Sequence, residues 1–212
     1  MGEAEEDVAR SAKRLLCPWS KNRIMLSIRA RWPGVQARSW ETGVPWELRF
    51  SADNIEELAA RYNDRNEDTA LGISALVSRQ RSFSREQFLA LCRWKSPRIL
   101  RWCRENTAAE IEEATRVALS TPVDRLRIGV LRCLRGVGWP MASVLLHFGH
   151  ADRYPILDFR ALWSLGFDRK PGYTFELWWQ YVTTCRTIAD DANVSMRVLD
   201  RALWQFSKEN QV

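Results

Sequence analysis

Residues 126–166 read LRIGVLRCLRGVGWPMASVLLHFGHADRYPILDFRALWSLG. Apolar residues recur at helical spacing on both sides of Gly136-Val137-Gly138. The first helix puts Leu126, Val130, Leu131 and Leu134 on its apolar stripe. The second starts near Pro140, which suits a first helical turn, and carries Ala142, Val144, Leu145 and Phe148. Two glycines let the chain reverse tightly and keep side chains out of the way. The backbone N–H groups of the turn and of the next helix start then point outward together. Such a nest, backed by the helix dipole, binds an anionic oxygen, and a DNA phosphate is the natural guest. The same glycines also fit a plain αα-hairpin whose turn is only structural.

Outward from this stretch, helix starts follow one another. Ser51 is placed to cap a helix, with Phe50 and Ile55 as its staple. Ser84 with Gln87, and Thr107 with Glu110, form two capping boxes. Ser96-Pro97 and Thr121-Pro122 open further helices, and Thr174 opens another with Tyr173 and Trp178 as staple. A last helix is expected from about Val194 to Ser207. No alternating strand pattern and no Asn-Gly hairpin turn occurs. The expectation is an all-α fold of eight to ten short helices. Residues 1–13 read as a charged, fraying start, and 31–50, with Gly, Pro and three tryptophans, as an irregular connection.

The 212 residues are 46% hydrophobic and 27% charged, which excludes wholesale disorder, collagen and a small disulfide scaffold. No apolar run approaches the ~18–20 residues of a membrane helix, so no membrane partner is expected. The acidic start, MGEAEEDVAR, reads as neither a secretion signal nor a transit peptide, and a cytoplasmic location follows as an expectation. The net charge is +6, from 27 arginines and only five lysines among the basic residues. Arginine's planar fork binds phosphate and stacks on bases, although a GC-rich genome produces the same skew. Cys17, Cys92, Cys103, Cys133 and Cys185 show no C-x-x-C spacing, so neither zinc nor a disulfide framework is expected. They read as buried thiols, and the neighbouring His147 and His150 do not read as metal ligands. Most of the eleven tryptophans are expected in helix contacts.

The string LRGVGWPMASVLLHF resembles the hairpin of the helix-hairpin-helix DNA glycosylase superfamily, whose members look like endonuclease III. In that family an aspartate opens the next helix about twenty residues after the hairpin. Asp158, in YPILDFRAL, stands at that position. The match is best over residues 126–166, and RWKSPR at 93–98 also looks like a recurrent feature of such relatives. The resemblance implies two helical lobes with a cleft between them. Residues 1–50 and 150–212 would form one lobe, and 51–149, ending in the helix-hairpin-helix at 126–148, the other. Two departures bear on chemistry. Pro140 occupies the hairpin position of the catalytic lysine of bifunctional members, so abasic-site lyase activity is not expected. The four-cysteine cluster is missing, since only Cys185 follows Asp158. A Gln-containing wedge has only a faint echo in LVSRQRS (76–82).

Breaking an N-glycosidic bond leaves an oxocarbenium-like sugar, which a fixed carboxylate stabilises while it orients or deprotonates water. Asp158 follows the apolar run Pro155-Ile156-Leu157. It is equally a favoured N-cap, and the two roles are compatible. The candidate DNA-binding residues are Gly136, Val137, Gly138, Trp139, Arg160 and Lys95. Trp139 fits the DNA backbone or core packing. Lys95, the only lysine between Lys21 and Lys170, fits a surface charge beside a core tryptophan, or else DNA contact, the pocket, or the missing lyase role. The function expected is a monofunctional DNA N-glycosylase, acting as a monomer on double-stranded DNA without a cofactor. The resemblance also allows a monovalent cation on the hairpin carbonyls. The alternatives are a non-catalytic helix-hairpin-helix DNA-binding protein and a helical interaction protein.

Overall fold

Hydrogen-bonding side chains at the helix starts lay out most of the architecture. The computed structural model describes residues 46–63, 67–150, 154–168 and 172–211. The acidic start, Cys17 and most of the connection expected at 31–50 lie outside the described residues. Ser51 accepts from the Asp53 N–H and opens a 3-10 turn, Ala52–Asn54, that runs into α1 (Ile55–Arg61). After α2 (Glu67–Gln80), the reciprocal box of Ser84 and Gln87 opens α3 (Arg85–Lys95). A short turn at Pro97–Ile99 leads to α4 (Leu100–Cys103). The box of Thr107 and Glu110 opens α5 (Ala108–Ser120). Next come α6 (Asp124–Leu131), α7 (Trp139–Gly149) and α8 (Phe159–Ser164), the last capped by Asp158. Thr174 and Ser195 cap α9 (Phe175–Asp191) and α10 (Met196–Asn210). Each such cap contributes about 0.5–2 kcal/mol. Among the described residues the fold is all-α, with no strand.

Helix α7 is the axis of the packing. Every residue from Met141 to Phe148 is buried, as expected of a helix that is apolar nearly all round. Helices α2, α3, α5 and α6 pack against it, while α1, α8 and α9 pack on α10. Buried apolar side chains form a single cluster running through both sets.

Two expectations need correction, at Leu126 and at Cys133. Leu126 does not face the core: it is 59% exposed. Helix α6 is turned so that Arg127, Ile128 and Leu131 are buried instead. The reason is Arg127, whose guanidinium donates to the carbonyls of Ala118 and Thr121 and closes the C-terminal end of α5. Trp102 is also exposed, with the Arg101 guanidinium 3.9 Å from its ring centroid. Among the cysteines, Cys92, Cys103 and Cys185 are buried thiols, whereas Cys133 is exposed.

Candidate active site and phosphate-binding turn

The turn between α6 and α7 is built from two glycines with different jobs. Gly136 has φ +80°, a region that other L-residues occupy at a cost of roughly 1–2 kcal/mol. A Cβ there would stand 2.8 Å from Cys103 Sγ and 3.1 Å from the Cys103 backbone N. Gly136 is therefore required by the turn and by its close approach to α4. Gly138 is the N-cap of α7 with extended backbone, φ −87° and ψ −177°. A Cβ there would meet only Pro140 Cδ, at 3.9 Å. The fold makes no demand for glycine at 138; its absence of bulk leaves the helix start open. No side chain caps α7, and Pro140 lies in its first turn.

Asn106, buried, fastens the turn to the rest of the fold. Its Oδ1 accepts from the Arg135 N–H at 2.8 Å, and its Nδ2 donates to the carbonyls of Arg135 and Cys103 at 3.0 and 2.9 Å. Val137 is buried and its N–H bonds the Leu134 carbonyl. Trp139 is half-buried and packs toward Trp178, with the Arg132 guanidinium 4.1 Å from its ring centroid.

The second half of the site is an extended, buried run, Tyr154–Leu157. A buried backbone without a strand partner needs other hydrogen-bond partners, and four helical side chains supply them. From α7, Ser143 Oγ accepts from the Leu157 N–H at 2.8 Å. His147 Nδ1 donates to the Tyr154 carbonyl at 2.7 Å. From α10, Asp200 Oδ1 accepts from the Ile156 N–H at 3.0 Å. From α9, Tyr181 donates its hydroxyl to the Ile156 carbonyl at 2.9 Å. This scaffold fixes the backbone that ends in Asp158. Ser143 lies five positions after Gly138, about 7.5 Å along the α7 axis. One helix thus carries the open turn at its start and grips the Asp158 segment in its second turn.

Asp158 Oδ1 accepts from the Arg160 N–H at 2.9 Å, closing the cap on α8. Its Oδ2 accepts from Lys95 Nζ at the end of α3. The two side chains are equally exposed, 16% each. Both line a cavity of about 170 Å³ together with Tyr62, Trp94, Ile156, Ala161, Asp200 and Trp204. The carboxyl thus faces an opening rather than closed packing. Its charge is felt nearby: burial, and then the negative charge of Asp158, push the Tyr173 phenol above its ordinary range. Behind the cavity Arg197 joins Asp200 at 2.5 Å and Glu67 at 2.6 Å. Burial opposes the guanidinium's charge, but the pull of Asp200 and Glu67 outweighs it.

Of the residues singled out from sequence, Asp158 and Lys95 come together, and Arg160 sits beside them. The Arg160 guanidinium is 5.2 Å from the Phe159 ring centroid and 5.5 Å from that of Trp204. Gly136, Val137, Gly138 and Trp139 form the separate turn described above. The faint wedge echo is occupied elsewhere, since Gln80 Oε1 accepts from Gln87 Nε2. No motif or spacing marks Asn106, Ser143, Tyr181 or Asp200 in the sequence, and His147 stands out there only through its neighbour His150. Comparison with known protein families, with characterised proteins and with solved structures gives no match.

Proposed function

We propose that the chain is a monofunctional DNA N-glycosylase of helix-hairpin-helix type, with two helical lobes and a cleft that takes an extruded nucleotide. The observation that carries this reading is Asp158: a scaffolded carboxylate at a cavity, held by the same helix that begins at the open glycine turn. At the open turn, the N–H groups of Gly138, Trp139 and Met141 at the start of α7 grip a backbone phosphate. Lys95 and Arg160 add positive charge near the site. The cavity, smaller than the ~300–1,000 Å³ of drug-sized sites, suits one heterocycle, with Tyr62, Trp94 and Trp204 as aromatic walls. Asp158 stabilises the developing oxocarbenium ion and directs water to C1′ of the sugar. The base leaves and an abasic site remains. The protein works as a monomer on double-stranded DNA.

A mass-spectrometric screen for free bases, released from duplexes bearing varied lesions and modified bases, tests this reading. Release of at least one base is expected. Binding without release from any duplex favours a second reading, a non-catalytic helix-hairpin-helix DNA-binding protein. The Lys95 ion pair, which leaves the carboxylate internally satisfied, is the observation on that side. A borohydride trap with abasic DNA is expected to give no covalent adduct, because the Lys95 amine is engaged by Asp158 and Pro140 replaces the hairpin lysine. An adduct mapped to Lys95 would move the assignment to a glycosylase with lyase activity.

The two glycines give a further separation. Gly138→Val is expected to lower stability by only about 1 kcal/mol, the cost of a poorer N-cap, and to weaken duplex binding about tenfold, which is 1.4 kcal/mol, with a shallower salt dependence. Gly136→Ala is expected to cost ~2–3 kcal/mol of stability, from the left-handed backbone and the overlap with Cys103. Melting curves and salt-dependent binding titrations read both. Unchanged affinity in Gly138→Val sinks the phosphate role of the turn.

A further inference from the structure

Trp102 stands against the glycine turn: a Cβ on Gly136 would lie 3.3 Å from Trp102 Cβ. It is 42% exposed, while Leu100 and Cys103 supply the buried face of α4. A single exposed apolar residue is ordinary, but the surroundings of this one are not. Residues 93–104 and 125–149 carry arginines and one lysine and no acid. Asn106 ties the two stretches together, through the Cys103 carbonyl on one side and the N–H and carbonyl of Arg135 on the other. Arg101, Arg104, Arg132 and Arg135, all exposed, come from the two sides of that tie. Across residues 101–106 and 132–139, Glu105 is the only acid, and it is bound to Arg135 at 2.7 Å.

We infer that Trp102 is a stacking platform for an unpaired nucleotide, and that this face binds single-stranded DNA with its phosphates on Arg101 and the neighbouring arginines. The inference goes beyond the glycosylase reading and stands whether or not Asp158 cleaves a base. In a duplex both faces of each base are covered by the next bases. An exposed indole therefore stacks where a base face is open, as along a single strand. The ring already holds one flat group, the Arg101 guanidinium, 3.9 Å from its centroid. At an exposed site that cation–π contact is weaker than the stacking of a base. A base that takes the place of the guanidinium leaves Arg101 beside its own phosphate, where charge favours it. An apolar protein surface gains nothing from the arginines around the ring. A polyanion that also carries flat π faces uses both features, which is the chemistry of an unpaired strand.

The test uses the full chain and two fluorescein-labelled strands of about ten units, within the usual span of a single-strand site. One is oligodeoxythymidine; the other has the same backbone with tetrahydrofuran residues in place of every nucleoside. Wild type is expected to bind the thymidine strand more tightly. Trp102→Ala is expected to weaken that binding about fivefold to tenfold and to leave the base-free strand within about twofold, because only a base stacks. Trp102→Phe is expected to keep most of the affinity. Arg101→Gln is expected to weaken both strands alike and to flatten the salt dependence. Both side chains are exposed, so melting temperatures close to wild type are expected for all three variants. Equal binding of the thymidine strand by Trp102→Ala and wild type overturns the platform, as does equal weakening on both strands. Failure of wild type to bind either strand overturns it as well. A dimer in light scattering that Trp102→Ala dissolves assigns the ring to a second copy of the chain and overturns it too. Stacking that depends on Trp102, with no base released from any duplex, supports the platform and defeats the glycosylase reading.

Discussion

Asp158→Asn is expected to slow base release by about 10²–10³-fold while leaving duplex affinity within a factor of about two. Asparagine is as good an N-cap as aspartate, and its side-chain oxygen can still accept from the Arg160 N–H, so α8 is kept. What is lost is the negative charge at the cavity and the acceptor for a proton from water. Lys95 loses its partner, but its flexible stem lets the ammonium reach solvent, so the cost to the fold is small. Single-turnover release and duplex binding, measured on the same preparation, separate chemistry from recognition. A loss confined to binding would place Asp158 in the DNA contact surface and not in bond cleavage. The substitution is more informative than Asp158→Ala, which removes the cap and the charge together.

Arg197→Leu is expected to destabilise the protein by ~3–5 kcal/mol, the usual cost of leaving a buried charge unpaired. Arg197 bridges Glu67 and Asp200, whose side chains are only 9% exposed. Arg201 stays on Glu67 after the change, whereas Asp200 loses its cation and keeps the Ile156 N–H. At roughly 2–4 °C per kcal/mol for a chain of this size, the melting temperature falls by roughly 6–20 °C. Adding Asp200→Asn to Arg197→Leu removes the stranded charge, so the double variant is expected to lose less than the sum of the singles. Full additivity would mean that the pair does not act as a unit. Because Asp200 also holds the backbone before Asp158, Asp200→Asn alone is expected to lower base release more than it lowers duplex affinity.

What was legible in the sequence was local. Ser84 with Gln87, Thr107 with Glu110, and Thr174 find their backbone partners within three residues, so spacing alone reveals them. The apolar face of α7 was equally plain, because nearly every residue in it is buried. The stripe of α6 was misread because an arginine, not Leu126, turns inward to close the neighbouring helix. Periodicity carries no sign of a polar side chain recruited by a carbonyl nine residues away. The site was legible only in its parts. Lys95 and Asp158 are 63 residues apart in the chain, and no spacing rule predicts their pairing. Asn106 and Asp200 look like ordinary surface residues in the sequence. They are buried because a turn at 135 and an extended run at 154–157 need hydrogen-bond partners that only the folded chain brings to them.

Under the glycosylase reading, the glycine turn and the Asp158 segment engage one duplex at the same time. Amide hydrogen exchange of Asp158→Asn, with and without a duplex carrying an abasic analogue, addresses it directly. First-turn helix amides lack intrahelical partners and exchange readily unless something covers them. Simultaneous protection is expected at Gly138, Trp139 and Met141 and at Phe159 when DNA is bound. Protection at the turn with none at Phe159, or protection at neither, contradicts that reading.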